Sequence, residues 1–415
     1  MRNCFLPADI LLPQVEDLSK WAVIACDQFS SQPAYWERVR ACAGDAPSTI
    51  RLILTEAELG TEQERVHTEA INRTMADYLQ SGVFRAYPGS YVYVERTLLS
   101  GAVRKGLVGV VDLNAYDYAP GSVSAIRATE KTVVERIPPR MRVRRDAPVE
   151  LPHILMLADD HDKVLIEPIA SQREALTKLY DFDLMEGGGH IAGWLVDGAA
   201  AAAFDARLMA YTENVASKYQ GLSGTPMVFA VGDGNHSLAT AKACYEELKA
   251  QHPGEDLSAH PARYALVELE NIHDEAQAFA PIHRVVADTD PESLLRALRA
   301  EACAETGFPV EWYTEKDHGM LYLDKSKSQL AVGVLQGFLD AYLQDHPGET
   351  DYIHGDADLI ELARRPGAVG FLLPAMEKSQ LFRGVIADGI LPRKTFSMGH
   401  AREKRYYLEG RAIKK

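Results

Sequence analysis

The order of apolar and polar positions along the chain predicts a mixture of helices and strands. Helices are expected at 34–43, in the alanine-rich stretch 199–218, and at 237–250, where apolar residues recur every three to four positions. Alternating runs at 90–96 and 107–113 predict two paired strands. Because helices and strands do not alternate regularly, the pattern favours an α+β fold of mixed sheets with packed helices.

Shorter patterns extend this prediction along the rest of the chain. They predict strands at 21–25, 50–54, 154–157, 164–167, 191–196, 264–268, 320–323 and 369–373, and helices at 61–79, 291–303, 328–344 and 357–364. Residues 120–150 are rich in proline, arginine and valine and fit either a helix or an extended loop. A chain of 415 residues exceeds one hydrophobic core, so subdomains are predicted at 1–115, 116–290 and 291–415.

The most informative pattern is an apolar run, 227–231, that stops at a polar turn and opens a helix. The turn presents Asp233, Asn235 and His236 within four residues. A strand, a polar turn and a helix N-terminus together offer backbone N–H groups and a positive dipole end to an anion, most commonly phosphate. The alternative is an ordinary Asp-Gly turn that is capped by Asn235 or Ser237 and leaves His236 on the surface.

Composition places the chain among soluble globular proteins. Apolar residues make up 47% and charged residues 25% of the sequence, and no apolar run approaches the roughly 18 residues of a membrane span. The N-terminal segment lacks the apolar stretch of a secretory signal, so a cytoplasmic protein is expected. The net charge of −15 argues against nucleic acid as a partner, because duplex binding depends on basic surfaces. Five arginines within 136–145 fit either a solvated connection or an anion-binding patch.

The cysteines predict neither a disulfide framework nor a zinc site. They are odd in number and lack paired ligand spacing: Cys4, Cys26, Cys42, Cys244 and Cys303. Cys26 stands beside Asp27 and is either close to a site or part of the core.

A phosphate at the central turn would need a carboxylate, cations and an acceptor pocket around it. Asp233 is the leading carboxylate, because the turn fixes it beside the helix N-terminus; the alternative is an aspartate that bonds its own backbone. Gly234, Asn235, His236 and Ser237 complete the predicted phosphate site, with His236 donating to a phosphoryl oxygen. Asn235 fits helix capping or the orientation of a substrate hydroxyl.

The run Asp-Gly-Asn-His-Ser-Leu-Ala-Thr-Ala, which begins at Asp233, resembles the signature Asp-Gly-His-His-Arg-Tyr-x-x-Ala of a prokaryotic family catalogued as domain of unknown function 1015. Other segments match that family in order, at 50–54, 91–93, 105–109, 127–132, 281–286 and 391–396. The chain is therefore identified as a member of this family, whose name carries no reaction. Ser237 stands where the family has arginine, so another cation would have to bind the phosphate.

The same signature resembles, more distantly, the glycine-histidine-arginine turn of ParB and sulfiredoxin-like proteins. That group binds or consumes nucleotide phosphates and includes kinases of free serine. The likeness implies a ParB/sulfiredoxin-like strand–turn–helix core, with Asp233 in the phosphate and acceptor region.

The segment 127–132 supplies further candidates through the family resemblance. Glu130, Lys131 and Thr132 match a family run of His-Glu-Arg/Lys-Thr, in which Thr129 replaces the histidine. A buried Glu130 near an acceptor would serve as general base, whereas a salt-bridged surface glutamate is the alternative.

Two more residues are expected at the same cleft. Arg284 lies in an apolar strand pattern whose alternation directs it away from His283. Its guanidinium suits bidentate phosphate binding and would compensate for Ser237. Asp27 matches an N-terminal Tyr-Asp element of the family.

Two functions of different classes remain open. The first is a small-molecule kinase that transfers a phosphoryl group from ATP, ADP or pyrophosphate to a hydroxyl metabolite such as free serine. Mg²⁺ would assist, and Asp233 or Glu130 would be the base. The second is a non-catalytic regulator that binds a nucleotide or metabolite. Hydrolysis is disfavoured, because neither Gly-x-Ser-x-Gly nor His-x-x-x-His occurs. We expect a small-molecule substrate, no nucleic-acid or membrane partner and no dedicated metal-ligand set; a homo-oligomer is compatible with the sequence.

Overall fold

The structure, a computed structural model, describes residues 3–132, 134–222, 225–277 and 279–414. The helices within these ranges are α1 (Leu18–Trp21), α2 (Pro33–Ala43), α3 (Glu64–Gln80), α4 (Ile137–Asp146), α5 (Glu167–Ser171), α6 (Gly198–Lys218), α7 (Asn235–Gln251), α8 (Pro291–Glu301), α9 (Ala331–Asp345), α10 (Asp356–Ala363) and α11 (Lys378–Asp388). The strands are β1 (Phe5–Leu6), β2 (Ala8–Pro13), β3 (Val23–Ile24), β4 (Phe84–Thr97), β5 (Val103–Asp112), β6 (Tyr116–Asp117), β7 (Ile126–Ala128), β8 (Val149–Glu150), β9 (Leu155–Ala158), β10 (Thr177–Asp183), β11 (His190–Val196), β12 (Phe229–Asp233), β13 (Tyr264–Asn271), β14 (Phe279–Ala287), β15 (Phe308–Tyr313), β16 (His318–Leu323), β17 (Glu349–His354), β18 (Val369–Leu372), β19 (Phe396–Met398), β20 (Tyr406–Tyr407) and β21 (Arg411–Ala412). Mixed sheets with packed helices confirm the predicted α+β fold. None of the described helices is both long and apolar enough to cross a membrane.

Strands from the first two thirds of the chain form one large mixed sheet. Its strands lie in the order β10-β11-β4-β5-β13-β9-β12-β7-β6, with β1 paired to β5 and β2 to β4. β4 and β5 pair antiparallel, which confirms the predicted pair. In the centre, β12 lies parallel to β7 and antiparallel to β9. The carboxyl ends of β7 and β12 therefore meet the amino end of β9 at one end of the sheet.

A second sheet follows, and it shares a core with the first. Its strands lie in the order β16-β15-β18-β14-β17, with β19 paired to β14. Leu155 and Leu157 of β9 pack in the same apolar cluster as Leu335 of α9 and Phe371 of β18, whereas Met156 packs on the opposite face of the first sheet. This division follows from the alternation of side chains along a strand.

After β19, the C-terminal segment forms two small two-stranded sheets with early parts of the chain. β20 pairs with β3, and β21 pairs with β8. The last strands therefore lie against the parts of the chain before residue 151. The subdomain boundaries 1–115, 116–290 and 291–415 stay a prediction.

Two predicted strands are wrong, and one undecided region is resolved. Residues 50–54 begin in the 3₁₀ turn Thr49–Arg51, where the Thr49 hydroxyl donates to the Trp21 carbonyl at 2.8 Å. Residues 164–167 lead into α5 instead of forming a strand. Buried apolar side chains produce a strand-like pattern in both, but backbone contacts made in the folded chain decide the conformation. The stretch 120–150 contains both β7 and α4.

Candidate functional site

The central turn has the geometry of an open helix N-terminus. Gly234 has a φ of 79°, which favours glycine, and a Cβ there would lie 3.0 Å from the Cα of Ile154. α7 begins at Asn235 with Gly234 as its N-cap, and no side chain of the described residues caps this end. The alternative of a cap by Asn235 or Ser237 is therefore wrong. An uncapped N-terminus presents N–H groups and the positive end of the helix dipole.

This helix end opens into a cavity of about 290 Å³. The lining includes apolar residues, together called the apolar side, namely Leu52, Leu54, Leu59, Met75 and Val143. The charged and polar lining residues, together called the polar side, include eight of the ten predicted site residues: Asp27, Glu130, Lys131, Asp233, Gly234, Asn235, His236 and Ser237. The buried Oδ1 atom of Asn235 has no hydrogen-bond partner within the described ranges.

Strand topology explains why distant residues meet here. Because β7 and β12 run parallel, Glu130, which follows β7, and Asp233, which ends β12, reach the same end of the sheet. The Thr129 hydroxyl donates to the Val231 carbonyl at 2.7 Å and ties the two segments together. His153 joins them because it lies two residues before β9, which is antiparallel to β12.

Asp233 is held as an anion. Its Oδ2 lies 3.0 Å from Lys404 Nζ, and its Oδ1 accepts from the Gly234 N–H at 2.9 Å. Burial raises the pKa of Asp233, but Lys404 and His153 together outweigh burial and leave the pKa below its ordinary value.

The pKa of Glu130 is displaced in the opposite direction, above its ordinary value. Burial raises the pKa of Glu130 and the charge of Asp233 raises it further, while Lys394 and the backbone amides of Lys394 and Thr395 oppose them without cancelling the rise. Two carboxylates in one cavity thus have pKa values displaced in opposite directions. This arrangement separates a proton acceptor from a fixed anion.

His153 and Tyr407 add a hydrogen-bonding chain to the polar side. The Tyr407 hydroxyl accepts from the Cys26 N–H at 3.2 Å and lies 2.8 Å from His153 Nδ1. It also lies 3.1 Å from Cys26 Sγ, but an imidazole nitrogen is the stronger acceptor. Nε2 therefore carries a proton both when Tyr407 donates to Nδ1 and when the ring is protonated at both nitrogens. It lies 3.4 Å from Ser237 Oγ and 3.7 Å from Asp27 Oδ1, which both line the cavity.

Three arginines of the run 136–145 line the cavity, namely Arg136, Arg140 and Arg144, of which Arg144 pairs with Glu150 at 2.5 Å. Arg140 lies 2.9 Å and Arg136 3.7 Å from Glu56 Oε1. Burial lowers the pKa of His236, and the positive charges of Arg140 and Arg136 lower it further. His236 is therefore neutral at neutral pH, and these arginines supply the positive potential that Ser237 does not.

Arg284 and Thr132 lie elsewhere. Arg284 is 0% exposed, and its guanidinium donates to Gln336 Oε1 at 2.7 Å and to the carbonyls of Ile282 and Arg393 at 2.6 and 3.0 Å. It does not line the cavity. Thr132 lines a neighbouring groove, to which Lys131 also contributes.

Sequence reasoning did not identify His153, Lys404 or Tyr407 as site residues. His153 is an isolated histidine before a short apolar run, and the other two lie more than 150 residues beyond Asp233. No local spacing connects them with the turn. Their only sequence signal is the polar or aromatic character shared with many other positions.

Comparison with known proteins identifies a family but no activity. The family described as "Protein of unknown function (DUF1015)" matches residues 7–342. No curated protein matches the chain. Solved structures similar to it include a C-terminally truncated SbnI from Staphylococcus aureus, with 10% identity, 72% of this chain and 85% of that chain covered, and a TM-score of 0.37. A free serine kinase mutant in complex with ADP has 10% identity, 74% and 91% coverage, and a TM-score of 0.36. A conserved hypothetical protein from Pyrococcus furiosus has 11% identity, 74% and 94% coverage, and a TM-score of 0.33.

Proposed function

The chain belongs to the DUF1015 family, and we propose that it is a small-molecule kinase, which transfers a phosphoryl group from a nucleotide or pyrophosphate to a hydroxyl. The observation that carries the proposal is the uncapped N-terminus of α7, which opens into a cavity beside Glu130 and Asp233. Such an end binds phosphate oxygens through backbone N–H groups and the helix dipole.

The polar side of the cavity binds the phosphates. The Nε2–H of His153 donates to a phosphoryl oxygen, and neutral His236 offers a second donor. Arg140 contributes positive charge that is only partly balanced by Glu56. The apolar side, formed by residues such as Leu54 and Met75, suits the face of a nucleobase.

Glu130 is the base of the proposed transfer. Its raised pKa makes it a better proton acceptor than an ordinary carboxylate, and the acceptor hydroxyl gives its proton to Glu130 as its oxygen bonds to phosphorus. The bond between phosphorus and the leaving oxygen breaks, and the donor leaves one phosphoryl group shorter. Asp233 stays ionised and positions the donor.

Mg²⁺ would accompany the donor. No group of three or more His, Cys, Asp or Glu side chains in the described part of the chain could hold a metal ion. Mg²⁺ in phosphoryl transfer needs only one or two carboxylates and the phosphate oxygens, an arrangement that Asp233 beside the helix end fits. When bound, Mg²⁺ neutralises charge on the transferring group.

The test of activity is a search for a new phosphometabolite. Purified protein is incubated with Mg²⁺, one of ATP, ADP or pyrophosphate, and a pool of hydroxyl metabolites that includes serine, and the products are analysed by mass spectrometry. We expect one acceptor to gain a phosphoryl group. Nucleotide binding without turnover in every combination would instead support the non-catalytic regulator.

The placement of the donor is tested by binding. Asp233→Asn and His236→Ala should each weaken nucleotide or pyrophosphate affinity measured by calorimetry. Asp9→Asn and His318→Ala, at exposed positions outside the cavity, are the matched controls and should leave affinity unchanged. Equal affinity in all four variants would contradict the placement.

A further inference from the structure

The turn before β19, residues 391–395, contacts Glu130 through its backbone. The Leu391 N–H donates at 2.9 Å to the carbonyl of the residue before Glu130, and Glu130 and Leu391 form a parallel bridge. Two further N–H groups, those of Lys394 and Thr395, hydrogen-bond to the Glu130 carboxylate. Successive N–H groups that face one anion form a concave site for it. The backbone of this turn therefore holds the carboxylate that acts as base in the proposed transfer.

The 391–395 turn depends on an uncommon backbone conformation. Lys394 has a φ of 57°, in the left-handed region that favours glycine. Residues of positive φ occur in backbone concavities of this kind. The Thr395 hydroxyl donates to the Pro392 carbonyl at 2.7 Å and closes the turn. Because positive φ is unfavourable for lysine, contacts from outside the turn must help to hold this conformation.

Arg284 of β14 supplies such a contact. Pro281 lies opposite Phe396 in the antiparallel pair of β14 and β19, so the residues before β19 run along β14 towards Arg284. The Arg284 Nη2 donates to the Arg393 carbonyl at 3.0 Å, directly before Lys394 in the chain. The other guanidinium N–H groups are held by the second sheet and by α9. Arg284 thus connects the turn to a fixed part of the core.

The burial of Arg284 is costly and needs an explanation. The side chain is 0% exposed and forms no ion pair within the described ranges, although buried charges are ordinarily paired. Burial lowers the pKa of Arg284 to about 10, while the Tyr352 hydroxyl and the Glu130 carboxylate oppose this shift. An apolar side chain would pack there at less cost, but it could not bind the Arg393 carbonyl. The contact with the turn is therefore what the arginine adds.

We propose that Arg284 is a positioning residue for the phosphoryl transfer, which holds the 391–395 turn so that the turn directs the Glu130 carboxylate towards the acceptor hydroxyl. The N–H groups of the turn occupy part of the hydrogen-bonding capacity of the carboxylate and leave its other lone pairs for the acceptor proton. The inference rests on the proposed function, because that function makes Glu130 the base. Arg284 does not line the cavity and touches neither donor nor acceptor.

The first test separates turnover from binding. Arg284→Met should lower kcat about 100-fold, the effect of misplacing a reacting group by about 1 Å. The Kd of the nucleotide, measured by calorimetry, should stay unchanged, because the donor site keeps its groups. A merely structural role would instead lower kcat and the fraction of protein that binds nucleotide in parallel.

Arg127→Met is the matched control. Arg127 is 5% exposed, forms no ion pair within the described part of the chain, and donates to the carbonyls of Ser124 and Thr225 at 2.9 and 2.6 Å. These contacts lie at the amino end of β7, whereas Glu130 follows its carboxyl end. Both methionine variants should melt below the wild type, because each leaves buried carbonyls without a donor. Only Arg284→Met should lower kcat.

A second pair of variants changes the turn and leaves the core intact. Lys394 is exposed, and Lys394→Gly and Lys394→Val both remove its ammonium. Glycine accepts a positive φ, whereas valine is strained there and should displace the N–H groups of the turn. We expect kcat to be about tenfold lower in Lys394→Val than in Lys394→Gly.

Nuclear magnetic resonance of the Glu130 carboxyl carbon compares the same two variants without turnover. The pKa of Glu130 should be higher in Lys394→Val, because lost N–H hydrogen bonds no longer favour the anion. The neighbouring charges of Asp233 and Arg284 are the same in both variants, so they do not contribute to the difference. If circular dichroism shows that Arg284→Met does not fold, Arg284→Lys, which keeps the cation but not the planar fork, takes its place.

Three outcomes would overturn the inference. They are a wild-type kcat in the Arg284 variant, an equal loss of kcat in Arg127→Met, and equal kcat and Glu130 pKa in the two Lys394 variants. An inactive wild type would instead contradict the proposed function, and the pKa comparison would still test whether the turn holds Glu130. Failures of the two proposals are therefore distinguishable.

Discussion

The cavity at the start of α7 and the buried charge cluster under the C-terminal segment use similar residues in opposite ways. In the cluster, Arg405 lies 2.8 Å from Glu268 and also contacts Glu409, while Arg104 lies 2.9 Å from Glu270. All of these side chains are buried. In the cavity, by contrast, polar side chains such as those of Glu130, His153 and Asn235 line a space that a ligand can enter.

The charges of the cluster are paired with one another and serve stability, whereas the polar groups of the cavity are available for ligand binding. Burial lowers the pKa of Arg405, but the surrounding carboxylates reverse the effect and raise the pKa above its ordinary value. Around Arg405 the charges stabilise one another and hold the residues that flank β20 against β13. Burial instead raises the pKa of Glu270 to about 8, although Arg104 opposes the rise. The cavity groups have fewer protein partners, so changes there should alter ligand binding more than folding.

The largest expected effect lies in the cluster. Arg405→Met should lower the free energy of unfolding by about 3–5 kcal/mol, because it leaves buried carboxylates without their cation. Urea denaturation measures the loss. Lys178→Met, which breaks an exposed ion pair with Asp181, should cost under about 1 kcal/mol. Equal stability of the two variants would show that the buried ion pairs of Arg405 contribute no more to stability than an exposed pair.

Next comes Glu130→Gln in the cavity. The proposed phosphoryl transfer should slow about 10²- to 10⁴-fold, because the base is lost. In the wild type, kcat/KM should rise with pH as Glu130 loses its proton, above the ordinary glutamate pKa of about 4.3. A pH–rate profile measures both, and unchanged turnover in Glu130→Gln would assign the base elsewhere.

The same variant should not be less stable than the wild type at neutral pH. Since the folded-state pKa of Glu130 is raised, the folded chain binds the proton more tightly than the unfolded chain. Its contribution to stability is present below the unfolded pKa and is lost as pH rises through the folded pKa. Glutamine does not ionise, so the variant does not lose this stability as pH rises. Denaturation curves should therefore show that the free energy of unfolding of Glu130→Gln increasingly exceeds that of the wild type with rising pH.

A smaller effect is expected for the His153–Tyr407 pair. His153→Gln should weaken nucleotide binding about tenfold, the cost of one hydrogen bond to a charged group. Tyr407→Phe should weaken nucleotide binding less, because this change removes only the hydroxyl that orients the imidazole ring of His153. His190→Gln, at a surface histidine between Asp181 and Asp183, is the control for titration calorimetry. If His190→Gln loses as much nucleotide affinity as His153→Gln, the role of His153 as a donor to the phosphate is contradicted.

The smallest expected effect is a difference in nucleotide affinity between variants of two arginines of α4. Arg140→Gln should weaken nucleotide affinity about threefold, since Arg140 lines the cavity, and Arg145→Gln should not, since Arg145 pairs with Glu247 outside it. Each should change stability by less than about 1 kcal/mol. Salt titration should diminish the Arg140 effect alone.

Sequence reasoning succeeded where local pattern and local structure coincide. The strand–turn–helix around Asp233, the pair β4 and β5, and α6 follow from periodicity and glycine placement within each segment. It failed for residues 50–54, because an apolar run does not reveal that Thr49 hydrogen-bonds Trp21. Most predicted site residues meet at the cavity, but the role expected of Arg284 does not follow from its position, since Gln336 and backbone carbonyls occupy its donors.

By itself, the amino-acid sequence determined that a polar turn with an aspartate would end a buried strand and open a helix. The spacing of apolar residues and the preference of glycine for positive φ are local properties, which depend on only a few neighbouring residues. Only the tertiary structure decided what surrounds that turn. His153 precedes β9, the antiparallel neighbour of β12, while Tyr407 lies in β20 and Lys404 lies two residues before that strand. Such partners depend on strand order across the whole chain, which no local spacing encodes.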